Sequence, residues 1–157
     1  MSLAVVADED DRPAVADLID RAARIAALAR ERALETEQAR SVSADLLAEM
    51  RDADLFRILQ PKRFGGYEYG FDVFVEAVAT VASGDGSTGW VYSLGAVHQW
   101  LIGCFPEEAQ QEVWSTNPDA ISAVSYAPTG RSEAVEGGFR ISGRWSFASG
   151  CDNVDWA

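Results

Sequence analysis

The feature that most constrains this chain is a single change of hydrophobic period. As far as Trp114 the apolar residues recur at helical spacing, and from Ala120 onward they alternate. A helix and a strand cannot share one repeat, so the switch predicts a helical layer followed by a β layer, an α+β fold with segregated elements. The boundary falls at Asn117-Pro118, which gives a helical domain over 1–118 and the start of a β domain over 119–157. About five helices and at least three strands are expected.

Between Ala14 and about Arg40 the series Val15, Leu18, Ile19, Ala22, Ile25 and Leu28 keeps one face apolar while Arg and Glu fill the other, which predicts one long amphipathic helix. Ser43 is placed to cap a second helix carrying Leu46, Leu47, Met50 and Phe56, ending near Leu55–Arg57. The run from Gln60 to Gly70 holds one proline, three glycines and three aromatics and reads as a packed connection, with a lid as the alternative. Phe71–Ala82 and Ser87–Phe105 are apolar with few charges and read as buried central helices. Between them, Gly84-Asp-Gly-Ser-Thr-Gly89 formally matches G-x-G-x-x-G, but a dinucleotide loop follows a strand and this one follows a helix. It is read as a helix-to-helix corner in which Asp85, Ser87 or Thr88 caps the next helix. Pro106 to Trp114 is a short helix with proline in its first turn.

After Pro118, Ala120–Tyr126 reads as a strand, and Gly137-Gly138 as the turn of a hairpin joining Ser132–Glu136 to Phe139–Ser142. Alternation carried through Trp145, Phe147 and Ser149 puts these three side chains on one strand face. Two aromatics and a hydroxyl there suit a flat heteroaromatic ligand, or else form ordinary sheet core.

The chain of 157 residues carries 25 acidic against 13 basic residues, a formal charge of −12, with no basic cluster. Such a surface repels phosphate backbones and anionic membranes, so neither nucleic acid nor membrane is expected as a partner. Met1–Ala7 lacks a basic n-region and leads into acidic residues, so it is read as a frayed terminus and not as a signal peptide. Cys104 and Cys151 lie far apart without metal-ligand spacing, so reduced thiols in the cytoplasm and no metal site are expected. His98 is the only histidine, and any imidazole chemistry in this chain belongs to it. It is either a hydrogen-bonded core residue or, with Trp90 eight positions earlier, part of a pocket wall. No G-x-S-x-G, P-loop or H-E-x-x-H is present, which removes support for hydrolase and phosphoryl-transfer readings. Asp152 and Asp155 are read as turn residues.

The corner Gly84–Trp90, the helix bearing His98, Ser125-Tyr126, the stretch Gly143-Arg-Trp-Ser-Phe-Ala-Ser-Gly150 and Asp155-Trp156 together resemble the flavin-dependent monooxygenases of the acyl-CoA dehydrogenase fold. The group most resembled is the oxygenase components of aromatic hydroxylases of the 4-hydroxyphenylacetate type. The resemblance implies a helical N-terminal domain, a β middle domain and a C-terminal helical bundle that completes the flavin site and a homotetramer. Ala157 falls within the expected middle domain, so the chain is read as a fragment of a longer protein. The resemblance also implies reduced FMN or FAD supplied by a separate flavin reductase, with O2 and a small phenolic compound as co-substrates. Residue by residue, it implies Ser149 bonding the flavin near N5 in support of a C4a-hydroperoxyflavin. Phe147 then packs beside the ring, Ser125 lies on its substrate side, Trp90 borders the flavin pocket, and His98 binds the phenolic hydroxyl. The loop Ala127-Pro-Thr-Gly-Arg-Ser-Glu133 departs from the Thr-Glu-Pro-Gly-Ala-Gly-Ser-Asp-like loop usual in the dehydrogenases. A dehydrogenase-type flavin enzyme is therefore the alternative reading, and a non-catalytic helical interaction domain is a third.

Overall fold

A computed structural model describes residues 12–157; the reading of Met1–Ala7 lies outside the described residues. Among the described residues six α-helices precede one β-hairpin: α1 Val15–Glu31, α2 Ala33–Ala39, α3 Ala44–Asp52, α4 Phe71–Ala82, α5 Gly86–Gly103, α6 Glu107–Trp114, then β1 Arg131–Val135 and β2 Gly138–Ser142.

The single long helix expected over Ala14–Arg40 is interrupted. Arg32 takes φ −100° and ψ 6°, which separates α1 from α2, although its N–H still reaches the Leu28 carbonyl at 3.1 Å. The helical spacing of apolar residues ends at Leu28, so packing holds α1 as far as the break but offers α2 little. Arg40 then closes α2 in the left-handed region at φ 56°. Ser43 caps α3 as expected, its Oγ accepting from Leu46 N at 3.3 Å. That helix stops at Asp52, and Leu55–Arg57 forms a separate 3-10 turn because Asp54 is left-handed. The Asp54 carboxylate accepts from Arg21 and pairs with Arg57, which fastens this turn to α1.

The core lies where α4 is packed between α1 and α5. Leu18, Ala22, Ile25 and Ala29 meet Val73, Ala77 and Val81, while Leu46, Leu47 and Met50 of α3 close one side. A smaller cluster of Ile102, Trp114 and Ala120 joins α6 to the far end of α5. The central helices are buried on one side only, contrary to the expectation of full burial: Phe71 and Val75 of α4 and Trp90 and Trp100 of α5 are exposed. Phe71 and Trp100 cover each other edge to face at 5.4 Å between ring centroids. The Gln60–Gly70 segment is a packed connection, with Tyr67 and Tyr69 donating backbone N–H groups to Arg57 and Ile58 at 2.8 Å each.

The β portion is smaller than the pattern implied. β1 and β2 pair antiparallel in the register Val135↔Gly138 to Arg131↔Ser142, so the turn is Glu136-Gly137, one residue earlier than expected, with Gly137 at φ 82°. Ala120–Tyr126, expected as a strand, forms only the isolated parallel bridge Ser122↔Trp156. Beyond Ser142 no strand continues. There the Ser125 and Thr129 hydroxyls take the place of a ladder, donating to the Ser146 and Arg144 carbonyls at 2.6 and 2.9 Å. Phe147 turns left-handed at φ 64°, a conformation costly for a bulky residue. The alternation is broken at this point, so Trp145, Phe147 and Ser149 do not share a strand face.

Candidate functional site

Asp85 sets the first wall. Its extended backbone and side chain cap α5, with Oδ2 accepting from Thr88 N at 2.7 Å. Gly84 and Gly89 bring the corner against its neighbours: a Cβ at Gly84 would collide with the Ala26 carbonyl, and one at Gly89 with Ala82. The first turns of α5 are thereby fixed close to α1 and α4, and Trp90 projects from them with 60% of its surface exposed.

The second wall is the segment 148–153. Gly150 at φ 84° turns it into the 3-10 turn Cys151–Asn153, and Asn153 donates to the Val42 carbonyl at 3.1 Å. Ser149 is thereby brought to Trp90, whose indole N–H donates to its Oγ at 3.2 Å. The two residues line a cleft of about 680 Å³ bordered also by Arg40, Ser41, Ser87 and Asp152. That volume is in the range of small-molecule sites. An exposed indole beside hydroxyl groups, with Arg40 at the rim, fits the size and mixed character of a flavin ring system.

The other three residues singled out by sequence stand apart from this pair. Ser125 is committed to the Ser146 carbonyl, and Phe147 points into solvent with 90% exposure. Phe147 is nevertheless only two residues from Ser149, so the strained segment that carries it borders the cleft. His98 is on another face of α5, about 80° around the axis from Trp90 by helical geometry, and is 1% exposed. The expectation that Trp90 and His98 line one side of the helix is therefore met only by adjacent faces.

His98 has an informative hydrogen-bond pattern. Nδ1 lies 2.8 Å from the Ser122 carbonyl, which accepts only, so Nδ1 carries the proton. Nε2 is buried without a partner, leaving a lone pair in the neutral ring that is available to a donor. Tyr126 lies beside it at 6.3 Å between ring centroids and is itself largely exposed. Nothing in the sequence signals the Ser122 carbonyl, because main-chain groups leave no mark on residue type. Asp155, read as turn chemistry, accepts from Ile121 N and from Arg51 Nη2, both at 3.0 Å.

Residues 12–117 match the family model for the acyl-CoA dehydrogenase N-terminal domain. The chain belongs to the acyl-CoA dehydrogenase family, of which it carries that domain. It is 47% identical over 140 residues to the oxygenase component of the FADH(2)-dependent resorcinol hydroxylase of Rhizobium sp. strain MTP-10005, covering 89% of this chain and 34% of that protein. It is 42% identical over 128 residues to the flavin-dependent monooxygenase oxygenase subunit HsaA of Rhodococcus jostii strain RHA1, covering 82% of this chain and 34% of that protein. Among solved structures, 3-HSA hydroxylase from Rhodococcus sp. RHA1 superposes with a TM-score of 0.85 at 38% identity, over 88% of this chain and 36% of that one. The chain thus spans about a third of the length of these relatives. Among the described residues no helix is long and apolar enough to cross a membrane.

Proposed function

We propose that this chain is the N-terminal part of the oxygenase component of a flavin-dependent monooxygenase that hydroxylates a phenolic compound with O2, using reduced FMN or FAD delivered by a separate reductase. The observation that carries the reading is the Trp90–Ser149 pair in a cleft of ligand size. The similarity of most of the chain to named oxygenase components supports it. The helical domain spans 1–118 and the β domain begins at 119. The full-length protein is a cytoplasmic homo-oligomer, with a tetramer as the expected assembly.

When bound, the reduced flavin supplies the activation of oxygen, and the residues of this chain bind, orient and seal. Ser149 would hold the ring through its hydroxyl, which lines the cleft. Trp90 holds that hydroxyl through its indole N–H and gives the ring an aromatic border. Phe147, in the segment next to Ser149, would pack beside the ring, and Ser125, which holds that segment by its bond to the Ser146 carbonyl, would lie on the substrate side. His98 accepts the phenolic proton at Nε2, the nitrogen left free by the Ser122 carbonyl, which increases the nucleophilicity of the aromatic ring. Nε2 is closed to solvent here, so a phenol reaches it by displacing neighbouring side chains, and the exposed Tyr126 has room to move.

The test uses the full-length protein with chemically reduced flavin, ^18O2 and resorcinol or 4-hydroxyphenylacetate, read by mass spectrometry. Label in a hydroxylated product supports the reading. Flavin reoxidation without labelled product, together with reduction of bound oxidised flavin by an acyl thioester, replaces it with the dehydrogenase reading. Ser149→Ala is expected to lower the product formed per flavin oxidised, and unchanged coupling removes the role given to Ser149.

A further inference from the structure

The mechanism needs His98 in a defined tautomer, and the structure contains a device that sets it. Free imidazole favours the proton on the nitrogen remote from the side chain, Nε2. Here the Ser122 carbonyl, 2.8 Å from Nδ1, demands the opposite. The carbonyl has this effect only if the backbone at 120–123 is held against α5. Within that backbone Ser122 has no strand ladder, only a bridge to Trp156.

The main chain of Trp156 holds the segment from Ile121 to Ala123 and the Trp114 indole N–H reaches the Ala120 carbonyl at 3.4 Å, but the side chain that ties Ile121 to α3 is Asp155. Its Oδ2 accepts the Ile121 N–H at 3.0 Å, its own N–H donates to the Ile121 carbonyl at 3.0 Å, and Arg51 of α3 donates to the same Oδ2 at 3.0 Å. Asn117 approaches the other carboxylate oxygen at 3.5 Å. Gln99, next to His98 on α5, donates to the Ala120 carbonyl at 3.0 Å and secures the other end of the same segment. A carboxylate bonded both to a main-chain N–H and to a guanidinium is a strong, charge-assisted clamp. One residue beyond its grip is the carbonyl that orients the imidazole.

We infer that Asp155 is a positioning residue for His98: by clamping Ile121 to α3 it holds the Ser122 carbonyl on Nδ1–H and so presents Nε2 as a proton acceptor. It touches neither substrate nor cofactor and acts through the main chain. The inference deepens the proposed function, on which its catalytic consequence rests, but the tautomer can be measured without any activity.

His98 is the only histidine in the 157-residue chain, so ^15N-labelled imidazole gives the signal of one ring. Long-range ^15N–^1H correlation spectra, recorded about two units above the ordinary imidazole pKa near 6.5, separate the protonated from the bare nitrogen. The parent chain is expected to show Nδ1–H, Asp155→Ala a mixture or a reversal toward Nε2–H, and Asp155→Asn, whose amide oxygen still accepts from Ile121 N, the parent pattern. An Nε2–H parent, or an unchanged tautomer in Asp155→Ala, overturns the inference. If Asp155→Ala does not fold, Asp155→Glu keeps the charge beside Arg51 but displaces the acceptor by one methylene; it must show the mixture, and retention of the parent pattern overturns the inference equally. In the full-length enzyme Asp155→Ala is expected to lower kcat at least tenfold with little change in KM, with recovery in Asp155→Asn. A shifted tautomer with unchanged kcat supports the positioning role and overturns the proton-acceptor role of His98, so the two failures are distinguishable.

Discussion

Tyr92 shows how a single buried hydroxyl on α5 becomes visible in the stability of the chain. It is wholly buried and donates to the Leu55 carbonyl at 3.1 Å, and burial holds its hydroxyl far above the usual value of 10.0. A group of raised pKa contributes fully below the pH at which the unfolded chain titrates. Above about pH 10 the unfolded tyrosine loses its proton and the folded one does not, so stability falls as pH rises, by up to about 1.4 kcal/mol per unit for this residue. Tyr92→Phe is expected to cost about 1–2 kcal/mol at neutral pH, because the Leu55 carbonyl loses its partner, and to flatten the alkaline slope. Urea midpoints from pH 7 to 11 measure both, and parallel slopes in parent and variant would refute the assignment. Trp90 behaves in the opposite way. It is mostly exposed and its hydrogen bond to Ser149 is at the surface, so Trp90→Phe should leave stability within about 0.5 kcal/mol. The same change should weaken binding of reduced flavin severalfold in an anaerobic titration, and equal affinity would detach the indole from the cofactor site.

The corner between α4 and α5 is the element on which the cleft depends, and its parts differ in what they tolerate. Asp85→Ala removes the cap of α5 and should cost about 1 kcal/mol. Gly89→Ala should cost more, about 1–3 kcal/mol, since its Cβ would drive α5 off Ala82. Gly86 meets nothing within 4 Å, so Gly86→Ala should be neutral or mildly stabilising. Thermal unfolding should place Gly89→Ala lowest, Asp85→Ala above it and Gly86→Ala highest, and a destabilised Gly86→Ala would show that the corner is not packed as described. The cap and the close approach were legible in the sequence, because Asp before an apolar helical run and clustered small residues have local physical meanings. The same is true of Ser43 and of the limits of α4. The break at Arg32 was not legible, since it carries no proline or glycine and follows from where packing stops. The strand through Trp145 and Ser149 was misread because alternation records a preference for pleating and not the presence of a partner strand. Once Ser125 and Thr129 bond the carbonyls of 144 and 146, the segment has no need of pleated geometry. Of the candidate site, residue type and family resemblance point to Trp90 and Ser149, which the fold brings together at one cleft. The Ser122 carbonyl depends on backbone placement alone, and the clamp on Ile121 on the meeting of Asp155 with Arg51 104 positions away, which no local pattern records.

Across the whole molecule the contrast is between a packed helical domain and a hairpin exposed on both faces. Phe139 and Ile141 lie on one face opposite Ala134 and Ser132, and are 72% and 66% exposed. Exposed apolar side chains beside unpaired strand edges favour association, and the relatives of this chain are roughly two and a half times as long. In the 157-residue chain, Phe139→Thr and Ile141→Thr have no buried contact to lose. Each should change the unfolding free energy by less than about 0.5 kcal/mol while reducing self-association in sedimentation velocity. In a full-length protein whose remaining residues cover this face, the same substitutions remove buried apolar surface and should cost about 1.5–3 kcal/mol each. Denaturant midpoints of both lengths separate the cases. A large loss already in the short chain would mean that the hairpin packs on the helical domain. Equal tolerance at both lengths would mean that the face remains open, and the β domain would then have to build its sheet from the opposite side of the hairpin.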